Sequence, residues 1–270
     1  MNRVASDTTW PTPVLTAAFS TDFDPQRLAM TICVGYFHAE PAEGHQMFTV
    51  SGYVSSKARW RQFDSDWNRA LRHESLTAFS GRDFSHGVRE FASGWDQASR
   101  KSRLVDRLAR ITEHHVSRAF SCSVRVEDYE AVVKARGLGG SIGMYSLCAG
   151  LLIANVRRWM AERHPEDLTL FVFEDGDLDH REIERAATAD RSVRGEPAQV
   201  WPRRWTDEVG RTRYIRPFEA CDLLSIDGGG FLISRLQERG RFESDVVDRD
   251  RLIELSQSQP VVESTARAHV

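Results

Sequence analysis

The chain has 270 residues, with 41% hydrophobic and 28% charged side chains, which suits one large domain or two small ones and excludes collagen-like, coiled-coil and wholly disordered chains. Its net charge of −3 gives no global push toward nucleic acid. No apolar run reaches the roughly 18–20 residues of a membrane helix, and the start, Met1 to Pro13, is polar with no secretory h-region. These features point to a cytoplasmic protein without a membrane partner.

Residues 1–26 read as an irregular lead-in, because Pro11, Pro13 and Pro25 interrupt any helix. A single domain is expected over 27–241, followed by a partly flexible tail over 242–270 that is charged and then rich in Ser, Gln and Ala. Within the domain, Leu28 to Phe37 and Gln46 to Val54 are short runs of β-branched and aromatic residues, so they are predicted as strands forming a hairpin. Ser55 or Ser56 then caps a helix in which Trp60, Phe63, Trp67 and Leu71 fall on one stripe. That stripe reads as core, against the alternative of a base-stacking platform. Residues 74–96 have no clean period. A helix is predicted over about 99–115, a half-buried strand over 119–126, a short helix over 127–135 and a loop over 137–143. Met144 to Arg163 reads as a mostly buried helix, and the continuous apolar run Leu168 to Phe173 reads as a central strand. A helix over 180–190, a short strand over 199–201 and a helix over 220–237, weakened at Gly228 to Gly230, complete the pattern. The order predicts an α/β protein with a mixed sheet opening on a β-hairpin and helices on both faces.

Four cysteines, Cys33, Cys122, Cys148 and Cys221, are widely spaced in apolar stretches, which suits buried free thiols better than a zinc knuckle or redox motif. Three lysines stand against 33 arginines. Coding bias explains such a split, and so does a guanidinium-lined groove for phosphates.

Chemistry concentrates where the strand Leu168 to Phe173 ends. Glu174, Asp175 and Asp177 flank Gly176, and such carboxylates repel one another unless a proton or cation sits between them. A hard divalent ion would satisfy them, and so would a plain acidic turn capping the next helix. Asp222 is a carboxylate within an apolar helical turn, which calls for a partner, a metal or an N-terminal capping role. His38, close to Glu40, follows the first strand. His114 and His115 are adjacent and do not share a helix face, and the glycines of 137–143 lack the lysine of a phosphate-binding loop.

In order and spacing, several pieces resemble the bacterial domain of unknown function numbered 3800, which is regarded as ribonuclease H-like. They are Val50-Ser51-Gly52-Tyr53-Val54, Trp60-x-x-Phe63-x-x-x-Trp67, Phe79-x-x-x-Asp83-Phe84, Phe91-x-x-Gly94-Trp95, Phe173-Glu174-Asp175-Gly176-Asp177 and Pro217-x-x-Ala220-x-Asp222-Leu223. The resemblance covers roughly Met30 to Leu224 and implies a ribonuclease H-like sheet and metal-dependent phosphodiester hydrolysis. It implies that Glu174 and Asp222 hold magnesium or manganese, supported by Asp175, Asp177 or Asp83. Three departures cluster at this expected site. His38 stands where the family carries a strand-end Asp, Ser80 replaces a His, and Glu219 replaces the Gln before Ala-Asp. A neutral imidazole binds magnesium poorly and cannot bridge two ions. The expectation is therefore a nuclease-like protein with a degenerate catalytic group of Glu174, Asp222 and His38. The alternative is an inactive member of the fold that binds nucleic acid or a protein partner, and a third reading is an unrelated α/β interaction domain.

Overall fold

A computed structural model describes residues 28–38, 46–95, 97–136, 143–174, 199–207, 210–224, 226 and 229–258. The predicted helix over 180–190, the loop over 137–142, the lead-in over 1–26 and the residues Asp175 and Asp177 lie outside these.

Strand β1 (Leu28–His38) pairs antiparallel with β2 (Met47–Ser56), which makes the expected hairpin. β2 pairs antiparallel with β3 (Arg118–Arg125), while β4 (Leu168–Glu174) returns parallel to β1 and β5 (Gln199–Trp201) lies parallel to β4. A further strand, β8 (Phe242–Val247), runs parallel to β3, so the sheet order is β5-β4-β1-β2-β3-β8. The sheet thus continues past residue 241 into the stretch expected as a tail. A small antiparallel hairpin of β6 (Arg204–Thr206) and β7 (Thr212–Tyr214) stands apart from it.

Alternate side chains of β2, β3 and β4 serve two cores. Tyr53, Ala119, Leu170 and Val172 face α1 (Lys57–His73), α3 (Ala98–His115), α6 (Arg216–Asp222) and α7 (Gly229–Glu238). Val50, Val54, Phe120, Cys122, Phe171 and Phe173 face α5 (Met144–Arg163), with α4 (Val126–Arg136) and α8 (Arg249–Ser258) beside it. A strand's period of two makes this division possible, and it is why Leu168 to Phe173 reads as one continuous apolar run. The fold is therefore mixed α/β with helices on both faces.

Ser56 caps α1, its Oγ accepting from the Arg59 amide, and Trp60, Phe63, Trp67 and Leu71 are all buried as their spacing predicts. The aperiodic stretch after α1 holds a short helix, α2 (Gly81–His86), capped by Ser80 and ended at Gly87 with φ of 62°. Its packing comes from an aromatic chain: Phe79 meets Phe84 at 5.6 Å, Phe84 meets Phe91 at 5.2 Å, and Phe91 meets Trp95 at 5.1 Å. Cys122, Cys148 and Cys221 are buried thiols, as expected. Among the described residues, no helix is long and apolar enough to cross a membrane.

Candidate functional site

Glu174 is the last residue of β4, and Trp201, its partner across the parallel ladder, is the last of β5. Pro202 cannot extend that ladder, and the chain turns out at Arg203 before β6 begins. The Ile215 amide donates to the Arg203 carbonyl at 2.9 Å, which ties this turn to the start of α6. α6 opens with Pro217 in its first turn and ends at Asp222. Three elements that are separate in sequence thus deliver Glu174, Arg203 and Asp222 to one place.

Arg203 fills the space between the two acids. Its Nε donates to Glu174 Oε1 at 2.5 Å and one terminal nitrogen donates to Glu174 Oε2 at 2.8 Å. The same nitrogen donates to Asp222 Oδ1 at 3.0 Å, and the other donates to Asp222 Oδ2 at 2.7 Å. All four carboxylate oxygens therefore face one guanidinium. The Gly81 amide donates a further bond to Asp222 Oδ2 at 2.9 Å. The three side chains retain only 29%, 17% and 16% exposure for Arg203, Glu174 and Asp222. Burial by itself lowers the pKa of a guanidinium, but here the two carboxylates outweigh it and hold Arg203 above its ordinary value.

The divalent ion implied by the family resemblance does not fit this arrangement. A hard cation needs open carboxylate oxygens, and the four present already pair with a fixed positive charge. Among the described residues, no three His, Cys, Asp or Glu side chains come together as a metal-binding group. Asp83 lies in the first turn of α2, where Oδ2 accepts from Arg89 at 3.4 Å. It serves α2 and is not grouped with Glu174 and Asp222. His38 ends β1, where it pairs with Met47. Cys33 is level with Phe173 in the parallel ladder, so His38 lies four residues beyond the level of Glu174, about 13 Å along the strand. The register does not set His38 beside Glu174.

Behind the site, Glu219 is fully buried and anchors α6. Trp67 Nε1 donates to its Oε2 at 2.8 Å, the Phe79 amide donates to the same oxygen at 3.1 Å, and Arg216 donates to Oε1 at 2.5 Å. Burial pushes the Glu219 carboxyl up, against the pull of Arg216 and the two N–H donors. Arg216 also donates to Asn68 Oδ1 and to the Thr77 carbonyl, and it lies 4.5 Å from the centre of the Tyr214 ring. The aromatic stripe of α1, the turn before α2, and α6 are thus joined through one carboxylate.

Sequence reasoning names Glu174 and Asp222 and misses Arg203, Arg216 and Gly81. The one local signal for Arg203 is Trp201-Pro202-Arg203, an arginine placed just beyond a strand stopped by proline. Comparison of the chain with family models, curated proteins and solved structures finds no match.

Proposed function

We propose that this chain is a nuclease-like α/β protein that has lost phosphodiester hydrolysis and acts by binding nucleic acid. What supports a ribonuclease H-like fold is a sheet that opens on a hairpin, returns β4 parallel to β1, and ends its neighbouring parallel strands where Glu174 and Asp222 meet. The observation that carries the loss of hydrolysis is the guanidinium of Arg203 on all four carboxylate oxygens. A guanidinium has no vacant coordination position and does not give up a proton near neutral pH, so it neither polarises a phosphate as a metal does nor activates water.

Binding is supported by a second group of arginines. Arg235 and Arg239 each pair with Glu113 at 2.7 Å. Arg59 donates to the carbonyl of His114, Arg241 donates to those of Glu113 and Val116, and Arg118 pairs with Glu243 at 3.0 Å. Five guanidinium groups gather there, around the C-terminus of α3, against the carboxylates of Glu113, Glu243 and Asp66, the last held by His115 at 2.8 Å. Crowding by Arg59 and Arg239 adds to burial in lowering the pKa of Arg241. Such an excess of positive charge suits a phosphate backbone.

The test is fluorescence anisotropy with single- and double-stranded DNA and RNA, beside a cleavage assay in magnesium and manganese. The expected result is binding without cleavage, with affinity falling steeply as salt rises and a shallower salt slope for Arg59→Ala/Arg239→Ala. Metal-dependent cleavage that Glu174→Gln abolishes would overturn the loss of hydrolysis. Absence of binding at low salt to every substrate would reject nucleic acid and move weight to a protein partner.

A further inference from the structure

α7 carries two rows of side chains with different surroundings. Leu232 and Leu236, four residues apart, are buried in the core beneath the helix, and Ile233 packs beside them. Phe231 and Arg235, each one position earlier, fall on the neighbouring face, and Arg239 follows at the same spacing just past the helix end. Phe231 is 47% exposed, and among the described residues it is the one aromatic side chain left so open to solvent. The Arg235 guanidinium lies 5.0 Å from the centre of its ring. That guanidinium also pairs with Glu113 at 2.7 Å, and Arg239 pairs with the same carboxylate at 2.7 Å. Glu113 thus serves two cations, while Arg59 and Arg241 donate to carbonyls of the same helix end. From Phe231 to Arg239 is a step of about 12 Å along the helix axis. An exposed ring and a group of arginines therefore form one continuous stripe.

We infer that this stripe binds single-stranded nucleic acid, with an unpaired base stacked on Phe231 and the adjoining phosphates held by Arg235 and Arg239. The role rests on the proposed nucleic-acid binding and names the form of substrate. Arginines alone suit any phosphate backbone, duplex or single-stranded. An open aromatic ring beside them adds a choice, because a base inside a duplex is already stacked on its neighbours and only an unpaired base can lie on a protein ring. The guanidinium next to the ring adds to such a platform, since it attracts the π-face of a base as well as a phosphate. The charge around the ring is positive, which matches a strand that carries a negative charge at every nucleotide.

The experiment follows the anisotropy of labelled single strands and of duplexes of the same length, across a range of salt, for wild type, Phe231→Ala, Phe231→Leu, Phe231→Trp and Arg235→Ala. Wild type is expected to bind single strands more tightly than duplex. Phe231→Ala and Phe231→Leu should weaken single-strand binding on the order of 10- to 100-fold with the salt slope unchanged, because a stacked base is lost and no phosphate contact is. Phe231→Trp should bind single strands at least as tightly as wild type. Arg235→Ala should instead reduce the salt slope by about one. Duplex affinity should be the same in wild type and all three Phe231 variants. Unchanged single-strand affinity in Phe231→Ala would overturn the inference, and so would full retention in Phe231→Leu, which keeps apolar surface without a π-face. Equal losses for single strand and duplex would overturn it as well. Crosslinking of wild type to a bromouracil-substituted strand needs no variant: a crosslink on the peptide that holds Phe231 is expected, and crosslinks confined to other peptides count against the site. Dimerisation that Phe231→Ala abolishes without changing strand binding would assign the ring to a second copy of the chain. Binding by wild type to which every Phe231 variant is indifferent sinks this inference alone, whereas wild type that binds neither strand nor duplex at low salt sinks the proposed function with it.

Discussion

Glu219 anchors α6 from a fully buried position, so replacing it by glutamine is a sharp perturbation. Glu219→Gln preserves shape and removes one acceptor and one charge. The carboxylate accepts from three donors: Trp67 Nε1 at 2.8 Å and the Phe79 amide at 3.1 Å on one oxygen, and Arg216 at 2.5 Å on the other. A glutamine has a single oxygen. If it faces Trp67 and Phe79, its NH₂ meets the Arg216 donor; if it faces Arg216, two N–H donors are stranded in the core. Breaking one partner out of a buried ion pair costs about 3–5 kcal/mol. Arg216 keeps Asn68 Oδ1 at 2.7 and 3.0 Å and the Thr77 carbonyl at 3.0 Å, which offsets part of that. The expected net loss is about 2–4 kcal/mol at pH 7.

Urea unfolding followed by tryptophan fluorescence measures this, because Trp67 reports on the junction directly. A companion variant, Arg216→Met/Glu219→Gln, keeps an oxygen for Trp67 and Phe79 and removes the guanidinium left without its counter-charge, so it should lie closer to wild type than Glu219→Gln does. A Glu219→Gln protein within about 0.5 kcal/mol of wild type would refute the reasoning, since surface-like tolerance is incompatible with a broken buried pair. It would mean that the carboxyl is carried protonated in the folded chain and that Arg216 is balanced by Asn68 and Thr77 alone.

Trp67→Ala should cost about 3–5 kcal/mol in urea unfolding, because the ring is fully buried and stacked on Phe63 at 5.0 Å; near-normal stability with nucleic-acid binding lost would return the stripe to a stacking role. Gly81→Ala should cost about 1–3 kcal/mol, since its Cβ would crowd Asp222 and Ile226 at 3.0 Å, and unchanged stability would show that α2 moves freely against α6. Burial holds the pKa of His115 below its ordinary value, although Asp66 opposes this from 2.8 Å, so protonation is easier in the unfolded chain. Its contribution to stability is therefore complete above about pH 6.5 and declines as pH falls from there through the lowered folded value. His115→Gln should flatten that slope, and an identical pH profile for the two proteins would contradict it.

The elements that the sequence disclosed are those whose packing is carried by one period. The helix Met144–Arg163 matches its expected ends, because an apolar run there is bounded by Gly143 and His164. Trp60, Phe63, Trp67 and Leu71 announce α1 in the same way. β8 was hidden because among the described residues it is an edge strand with one neighbour, so Glu243, Ser244 and Asp245 are tolerated within it. α2 was hidden because Phe79, Phe84, Phe91 and Trp95 pack as a ring cluster from a turn and short helices, with no repeat to detect. The predicted helix over 220–237 is two helices. α6 ends at Asp222 with Leu223 and Leu224 in a turn, and α7 starts at Gly229, so Asp222 sits at a helix end rather than inside one. Glu174 and Asp222 stood out as carboxylates in apolar surroundings. Their counter-ion did not, because one arginine among 33 carries no mark of its own.

The charge and donor count of that arginine links the site to the rest of the chain. A guanidinium has five N–H donors, and four of those on Arg203 are committed to Glu174 and Asp222. One remains, on the nitrogen that serves Asp222 Oδ2, and a phosphate approaching it would also meet two carboxylates. The centre that resembles a nuclease site is therefore poorly built to hold a phosphate backbone. The proposed nucleic-acid contact falls instead to the arginines around the C-terminus of α3, among which Arg239 is 56% exposed. Those residues lie toward the other end of the sheet. Arg59 follows Ser56, which pairs with Ala29 near the start of β1, whereas Glu174 lies one residue past the partner of Cys33. The offset is about five residues, roughly 16 Å along the strand. The proposed loss of hydrolysis and the proposed binding are thus separable, because the charge that closes the acidic centre and the charges that suit a phosphate backbone sit on different ends of the same sheet.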